Sequence, residues 1–490
     1  MVLLIFIFLF ILFYYFYSKL QITKSFKFPP GPVPLPVIGN LHLLDFRKPY
    51  ATLIQLSEKY GPVYTFHMGM TKTVVLIGYD AVKDALVNYA DEFGERGRVP
   101  AFDRFAQGNG VSFGHGESWR QMRRFTIATL KDFGMGRSKL DEMMLEESTY
   151  LIEVFKSHKG QPFDNSSALN AAISNNISSI VFGKRFDYKD ETFILLLKKL
   201  SDFFRVVGHR MTQLYNIYPI LEYFPGAHRE IFSCKENLYA YIKQIHKESK
   251  SKLQYNDLRN FIDAFVVKQS QERDTTGINY FHDKNLVETT ATLFVAGTET
   301  ATRTLRWSLL LMAKYPEIQK KVQNEIDKVV GSERFPSTKD RKNLPYCNAV
   351  IHEVQRFSNV VPLSLQHETA ADVHFRGYFL PKGTQVIACI GSALYDKTQW
   401  ATPDKFNPSH FLDTKGNFVL PDAFLPFSAG RRICLGEAMA KAEIFIFFVV
   451  LLQKFAFVPP PGITAKDLDI ESAPGTSSKP KPHKLCAVLR

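Results

Sequence analysis

The chain has 490 residues, 45% of them hydrophobic and 22% charged, with a net charge of +13. That composition excludes a disordered or fibrous chain and provides for a large core. Its basic residues are scattered without long Lys/Arg blocks, which argues against nucleic acid and for an anionic membrane or an acidic protein partner.

The first segment, MVLLIFIFLFILFYYFY, is uncharged through Tyr17, and Lys19, Lys24 and Lys27 follow it. It lacks the basic start and small-residue cleavage site of a secretory signal. A span needs roughly 17 apolar residues at the low end, so residues 1–18 read as a membrane anchor, and the lysines behind it keep the remainder in the cytosol. Residues 19–40 form a basic, proline-rich hinge. Pro29, Pro30, Pro32, Pro34 and Pro36 make it stiff and extended. No similar linker or internal repeat follows, so residues 41–490 read as one body. YATLIQLSEKYG predicts an amphipathic helix stopped by glycine, and YTFHMGMTKTVVLIG predicts a hairpin. Helical periodicity then dominates to about residue 330, with short strand-like runs near VHFRGYFLPKGTQVIACIG and at the C-terminus. The fold class is mainly α with small β-sheets.

Four short stretches carry chemistry. In WRQMRRF, Trp119 and Arg123 share one helix face, while Arg120 and Arg124 share another about 100° away. Two anionic partners or one solvated basic face would account for this. The longest predicted helix runs from Asn285 to Lys314, capped by Asp283, and spans roughly 45 Å. AGTETAT sits in its middle, either as a kink with solvated polar groups or as a groove where Thr300 and Glu299 handle protons. In EVQR, Glu353 and Arg356 lie three residues apart on one face with apolar flanks. They are a surface pair or a buried brace, and the meander PDKFNPSHFLD would then supply a further partner. Finally, FSAGRRICLG holds Cys434 between glycines, behind two arginines. It is a buried thiol or a ligand. The other cysteines, Cys234, Cys347, Cys389 and Cys486, form no CxxC pair and imply no disulfide framework.

In this order, over nearly the whole length, these motifs resemble the cytochrome P-450 superfamily of haem-thiolate monooxygenases, most closely its vertebrate microsomal branch. The haem-loop pattern F-x-x-G-x-R-x-C-x-G matches at Phe427, Gly430, Arg432, Cys434 and Gly436. The resemblance implies a single P-450 catalytic domain behind an N-terminal anchor in the endoplasmic reticulum membrane. It implies haem b with Cys434 as axial ligand to iron, O2 as co-substrate, and NADPH acting through a flavoprotein reductase, with a microsomal b-type cytochrome as a further donor. Thr300 and Glu299 would deliver protons. Arg432, Trp119, Arg123, Arg96 and His367 would hold the haem propionates, and Glu353 with Arg356 would brace the fold. FGERGR around Arg96 departs from the commoner FSGRGR, and Ala301 stands where many relatives carry a second Thr. A lipophilic drug, steroid or fatty acid would meet Phe102, Phe113, Phe294, Ala296, Val361 and Leu363, the region near Phe203 and the turn near Ser472 to Thr476. Arg120, Arg124, Lys131, Arg431 and Lys441 would dock the reductase. A reductase-independent isomerase or dehydratase and a non-catalytic haem sensor or carrier remain as alternatives.

Overall fold

The computed structural model describes residues 6–11, 13–14, 27–134, 138–254, 257–273 and 277–490. Most of the expected anchor lies outside these residues, and among those described no helix is long and apolar enough to cross a membrane. The chain is mainly helical with small sheets. The predicted first helix spans Pro49–Tyr60 (α1), with Pro49 in its first turn and Gly61 at its C-terminus. The predicted hairpin pairs β1 (Val63–Met68) with β2 (Thr71–Leu76), Val63 opposite Leu76. It is one edge of a five-stranded sheet in the order β1-β2-β7-β4-β3, where β3 is Glu95–Arg96, β4 His367–Glu368 and β7 Gln385–Ala388. The β3–β4 register sets Arg96 opposite His367. Two further pairs, β5 (Val373–Phe375) with β6 (Tyr378–Leu380) and β8 (Phe455–Val458) with β9 (Cys486–Leu489), complete the strands. The proline segment lies on β1: Thr65 donates its N–H to Pro30 O at 2.7 Å and its hydroxyl to Pro29 O at 2.7 Å.

The site is organised by three core helices, α2 (Ser166–Val181), α3 (Asp283–Lys314) and α4 (Glu437–Lys454). The central helix α3 begins two residues before the expected Asn285. Its cap is His282, not Asp283, because the His282 ring accepts the Asn285 N–H at 3.3 Å. Asp283 instead occupies the first turn, where a carboxylate suits the positive helix end. The mid-helix hydroxyls satisfy themselves on the turn before. Thr300 donates to Ala296 O at 2.8 Å, Thr304 to Thr300 O at 3.0 Å and Ser308 to Thr304 O at 2.9 Å. Gly297 packs closely on α2, since a Cβ there would lie 2.6 Å from Ile177 Cδ1 and would make that side chain shift. The apolar run IFIFFVVLL of α4 is buried in the same core.

Two glycosylation sequons, Asn165-Ser166-Ser167 and Asn176-Ile177-Ser178, have buried asparagines. Asn165 and Asn176 are each 1% exposed, and Asn176 donates to Glu443 Oε1 at 2.7 Å. Absence of glycan at either would therefore follow from folding alone and says nothing of which side of a membrane the body faces.

Candidate active site

A cavity of about 1360 Å³ lies between α3, the Phe427–Gly436 loop and the segments around Phe102, Phe203, Val361 and Gly475. A drug-sized ligand site spans roughly 300–1,000 Å³, so this cavity has room for a large group and a second small molecule. Phe102, Phe113, Phe294, Ala296, Val361 and Leu363 all line it. The Phe102 ring stacks on Phe113 at 4.7 Å and meets Phe203 edge-on at 6.1 Å. Ala296 is exposed in the middle of the central helix, and the surface it exposes is the cavity wall.

Cys434 lines the same cavity. It is exposed by area while the other four cysteines are buried, yet its surroundings desolvate it as a buried group. The loop reaches it through two left-handed residues, Ser428 (φ 64°) and Gly430 (φ 70°). A side chain at position 430 would sit 1.6 Å from Leu86 O, so glycine is obligatory there. Cys434 N–H then donates to Phe427 O at 2.9 Å. Gly436 caps α4, and the N–H groups of Gly436 and Glu437 lie beside the sulfur. Burial pushes the Cys434 thiol up. Those N–H donors and the Arg123 guanidinium pull it down, while the Glu437 charge adds to the rise. A thiolate here needs a further positive charge, which a metal ion supplies.

Beside the sulfur, three arginines converge with too few anions. Arg123 donates to Ile433 O at 2.6 Å. Arg96 donates to Ser112 O and Leu365 O, both at 3.1 Å. Arg432 donates to Gly94 O at 2.8 Å and Gly114 O at 2.9 Å and stacks on Trp119 at 3.5 Å. Burial lowers Arg96 and Arg432 to about 9, and each has another of these guanidiniums pushing the same way. Glu95, from the departing FGERGR stretch, is the single carboxylate ion-paired to them among the described residues, 3.6 Å from Arg432. Three cations against one carboxylate leave two positive charges facing the cavity. Arg432 Nη1 and Trp119 Nε1 are buried without hydrogen-bond partners among the described residues. This donor set fits a planar group carrying two carboxylates. His367 lies behind it and does not line the cavity. Its Nδ1 meets Phe93 O at 2.8 Å and its Nε2 meets Arg96 at 2.9 Å, so it orients Arg96, and burial keeps the ring neutral, near 3.

The chain matches the cytochrome P450 family over residues 29–487. The chain belongs to the cytochrome P450 family. It is 48% identical to cytochrome P450 2K4 of Oncorhynchus mykiss over 465 residues, covering 95% of this chain and 92% of that protein. It is 43% identical to cytochrome P450 2G1 of Oryctolagus cuniculus over 475 residues, covering 96% and 95%. It is 42% identical to cytochrome P450 2F2 of Mus musculus over 466 residues, covering 95% and 94%. The P450 is thus a haem-thiolate monooxygenase that uses haem b and O2, with NADPH electrons passed through a redox partner to act on a small molecule.

Around the cavity of this P450, Glu353 and Arg356 are fully buried and bidentate, at 2.7 and 2.8 Å. The meander supplies the rest. Arg356 donates to Leu394 O, Pro403 O and Lys405 O, and Glu353 accepts from Asn407 N–H at 2.7 Å. On the outer face, Arg120 pairs with Glu117 at 3.1 Å and Arg124 donates to Gln121 at 2.6 Å. Arg431 pairs with Asp91 and Lys441 with Glu437, while Lys131 is exposed.

Sequence reasoning missed two parts of the site. Glu299 is ion-paired to Arg303, 2.7 Å away, and Arg303 reaches on to Ser477. The i,i+4 spacing of Glu299 and Arg303 was the available signal. Glu443, buried against Asn176, carried no signal because its partner lies 267 residues away in the chain.

Proposed function

We propose that this P450 inserts one oxygen atom of O2 into a lipophilic xenobiotic, steroid or fatty acid, with Cys434 as the thiolate that would hold the haem iron and Thr300 as the hydroxyl that passes protons. The carrying observation is that Cys434 and Thr300 line the same cavity, beside an under-compensated arginine cluster. Bound haem supplies O2 activation and oxygen-atom transfer. The chain's residues do the rest. Arg96, Arg123, Arg432 and Trp119 hold the propionates, with His367 orienting Arg96. The N–H groups of Gly436 and Glu437 stabilise the sulfur's charge. Phe102, Phe113, Phe203, Phe294, Ala296, Val361 and Leu363 exclude water and position the substrate. Thr300 Oγ1, resting on Ala296 O, takes up protons and releases them toward the cavity, while Glu299 holds charge nearby. Thr300→Ala should retain haem and substrate binding while diverting reducing equivalents into hydrogen peroxide. The ratio of product to NADPH consumed measures this, and an unchanged ratio would rule out Thr300 as the proton route.

We assign the electron donor, an NADPH-dependent flavoprotein reductase with a b-type cytochrome as second donor, to the face carrying Arg120, Arg124, Lys131, Arg431 and Lys441. Its cations would steer an acidic partner. Arg120→Glu combined with Arg124→Glu should slow first-electron transfer at low ionic strength and flatten its salt dependence, leaving haem content unchanged. Stopped-flow rates equal to wild type would exclude this face. Residues 1–18 would anchor the enzyme in the endoplasmic reticulum membrane, with residues 19–40 as hinge and 41–490 as the cytosolic catalytic domain. Phe6, Phe8 and Phe10 in this segment present more than half of their surface outward, as lipid contact would require.

A further inference from the structure

One wall of the cavity is not explained by oxygen activation. One helical turn beyond Thr300, Arg303 is almost wholly buried yet lines the cavity. It pairs with Glu299, donates to Ser477 of the C-terminal turn and lies 5.1 Å from the Phe204 ring centre. Two residues past Ser477, Lys479 lines the same wall. Its side chain makes no hydrogen bond or ion pair among the described residues. Lys479 is exposed and lines the cavity. Burial lowers its ammonium below the usual lysine value, Arg303 and Arg306 push it lower, and Glu299 opposes them. Arg306, one turn away, is balanced by Asp164 at 3.6 Å. Two cations, Arg303 and Lys479, therefore line the cavity with one carboxylate, Glu299, and the Phe204 ring lies beside Arg303. A cation pair with one carboxylate between them leaves a positive charge that an anionic group can meet.

We propose that Arg303, Lys479 and Ser477 form a subsite for an anionic oxygen head group, so that the preferred substrate is an apolar body bearing one carboxylate or sulfate. This inference rests on the monooxygenase reading of the cavity. Arg303 supplies planar donors, Lys479 a mobile charge and Ser477 a hydroxyl, while the aromatic wall takes the body. Glu299 keeps Arg303 in place when the subsite is empty.

Calorimetric titration of the full-length, haem-loaded enzyme in neutral detergent tests this with matched pairs: dodecanoate against 1-dodecanol, and a steroid sulfate against its free steroid. Charge-assisted hydrogen bonds predict that wild type binds the anion of at least one pair about tenfold to a hundredfold more tightly than its neutral partner. Preference within the dodecyl pair identifies a chain-like body, and preference within the steroid pair a ring system. Lys479→Gln should reduce that preference, and Lys479→Gln with Arg303→Gln should abolish it while neutral-ligand affinity stays within about threefold. A purely structural tether between Arg303 and Ser477 would weaken both members of a pair equally. Should the double variant fail to load haem, Lys479→Gln and Lys479→Glu decide, the latter inverting the preference. Equal affinity for acid and neutral partner in wild type, or a preference that survives Lys479→Glu, overturns the subsite. The reduced CO spectrum of the same samples reports separately on the haem-thiolate reading, so the two fail independently.

Discussion

Arg356→Ala is expected to abolish recovery of folded, haem-loaded enzyme. Arg356 is fully buried, and its donors are committed to Glu353 and to three carbonyls, those of Leu394, Pro403 and Lys405. The two cation–π neighbours, Trp400 at 5.3 Å and Tyr395 at 5.5 Å, close the site from the sides. Removing the guanidinium leaves the Glu353 carboxylate buried with only the Asn407 N–H and His410 as partners. Breaking one side of a buried ion pair costs about 3–5 kcal/mol, a large part of the roughly 5–15 kcal/mol that holds a domain together. Arg356→Lys keeps the charge but cannot span three carbonyls and a carboxylate, so it should lose an intermediate amount. Soluble yield and the thermal midpoint of the haem-loaded protein measure both. A midpoint for Arg356→Ala matching wild type would show that the meander is held by other contacts.

Glu443→Gln should have the next largest effect, and in the opposite direction. Burial raises the Glu443 carboxyl from 4.5 to about 8, with the Asn176 bond opposing. Below about pH 4.5 the group is protonated both folded and unfolded, and stability is at its full value. As pH rises toward 8 the unfolded chain releases the proton and the folded chain retains it, so stability falls through that window. Each pH unit costs on the order of 1.4 kcal/mol while the two states differ by one proton, making the total loss on the order of a few kcal/mol. Gln has no proton to lose. It still accepts from Asn176, and Asn176 Oδ1 lacks a partner of its own. Glu443→Gln should therefore match wild type near pH 5 and exceed it near pH 8 in denaturant unfolding. Parallel pH profiles for the two proteins would refute this.

How much of this was legible in the sequence differs by element. The hairpin, the glycine-stopped first helix and the central helix were readable because alternation, 3.6-residue periodicity and punctuating Gly and Pro are local signals. The boundary of α3 was not, because a histidine caps it and its geometry depends on the turn before. Cys434 stood out through its glycines, whose need is now specific: position 430 has no room for a Cβ. The cluster of Arg96, Arg123 and Arg432 could be proposed only by resemblance, since its charge excess depends on three segments brought together by the fold. His367 depends on the fold in the same way: the β3–β4 register puts it opposite Arg96, and its ring nitrogens meet Phe93 O and Arg96. Arg303 and Lys479 were illegible as a pair, being more than 170 residues apart and joined only through Ser477.

The sulfur of Cys434 carries the haem-thiolate assignment. The reduced enzyme under carbon monoxide should give the red-shifted Soret band that a thiolate-ligated haem produces. Cys434→Ser should bind haem weakly or lose it, and should lack that band at any loading. A wild-type enzyme without the band, or a Cys434→Ser variant that keeps it, would contradict the assignment.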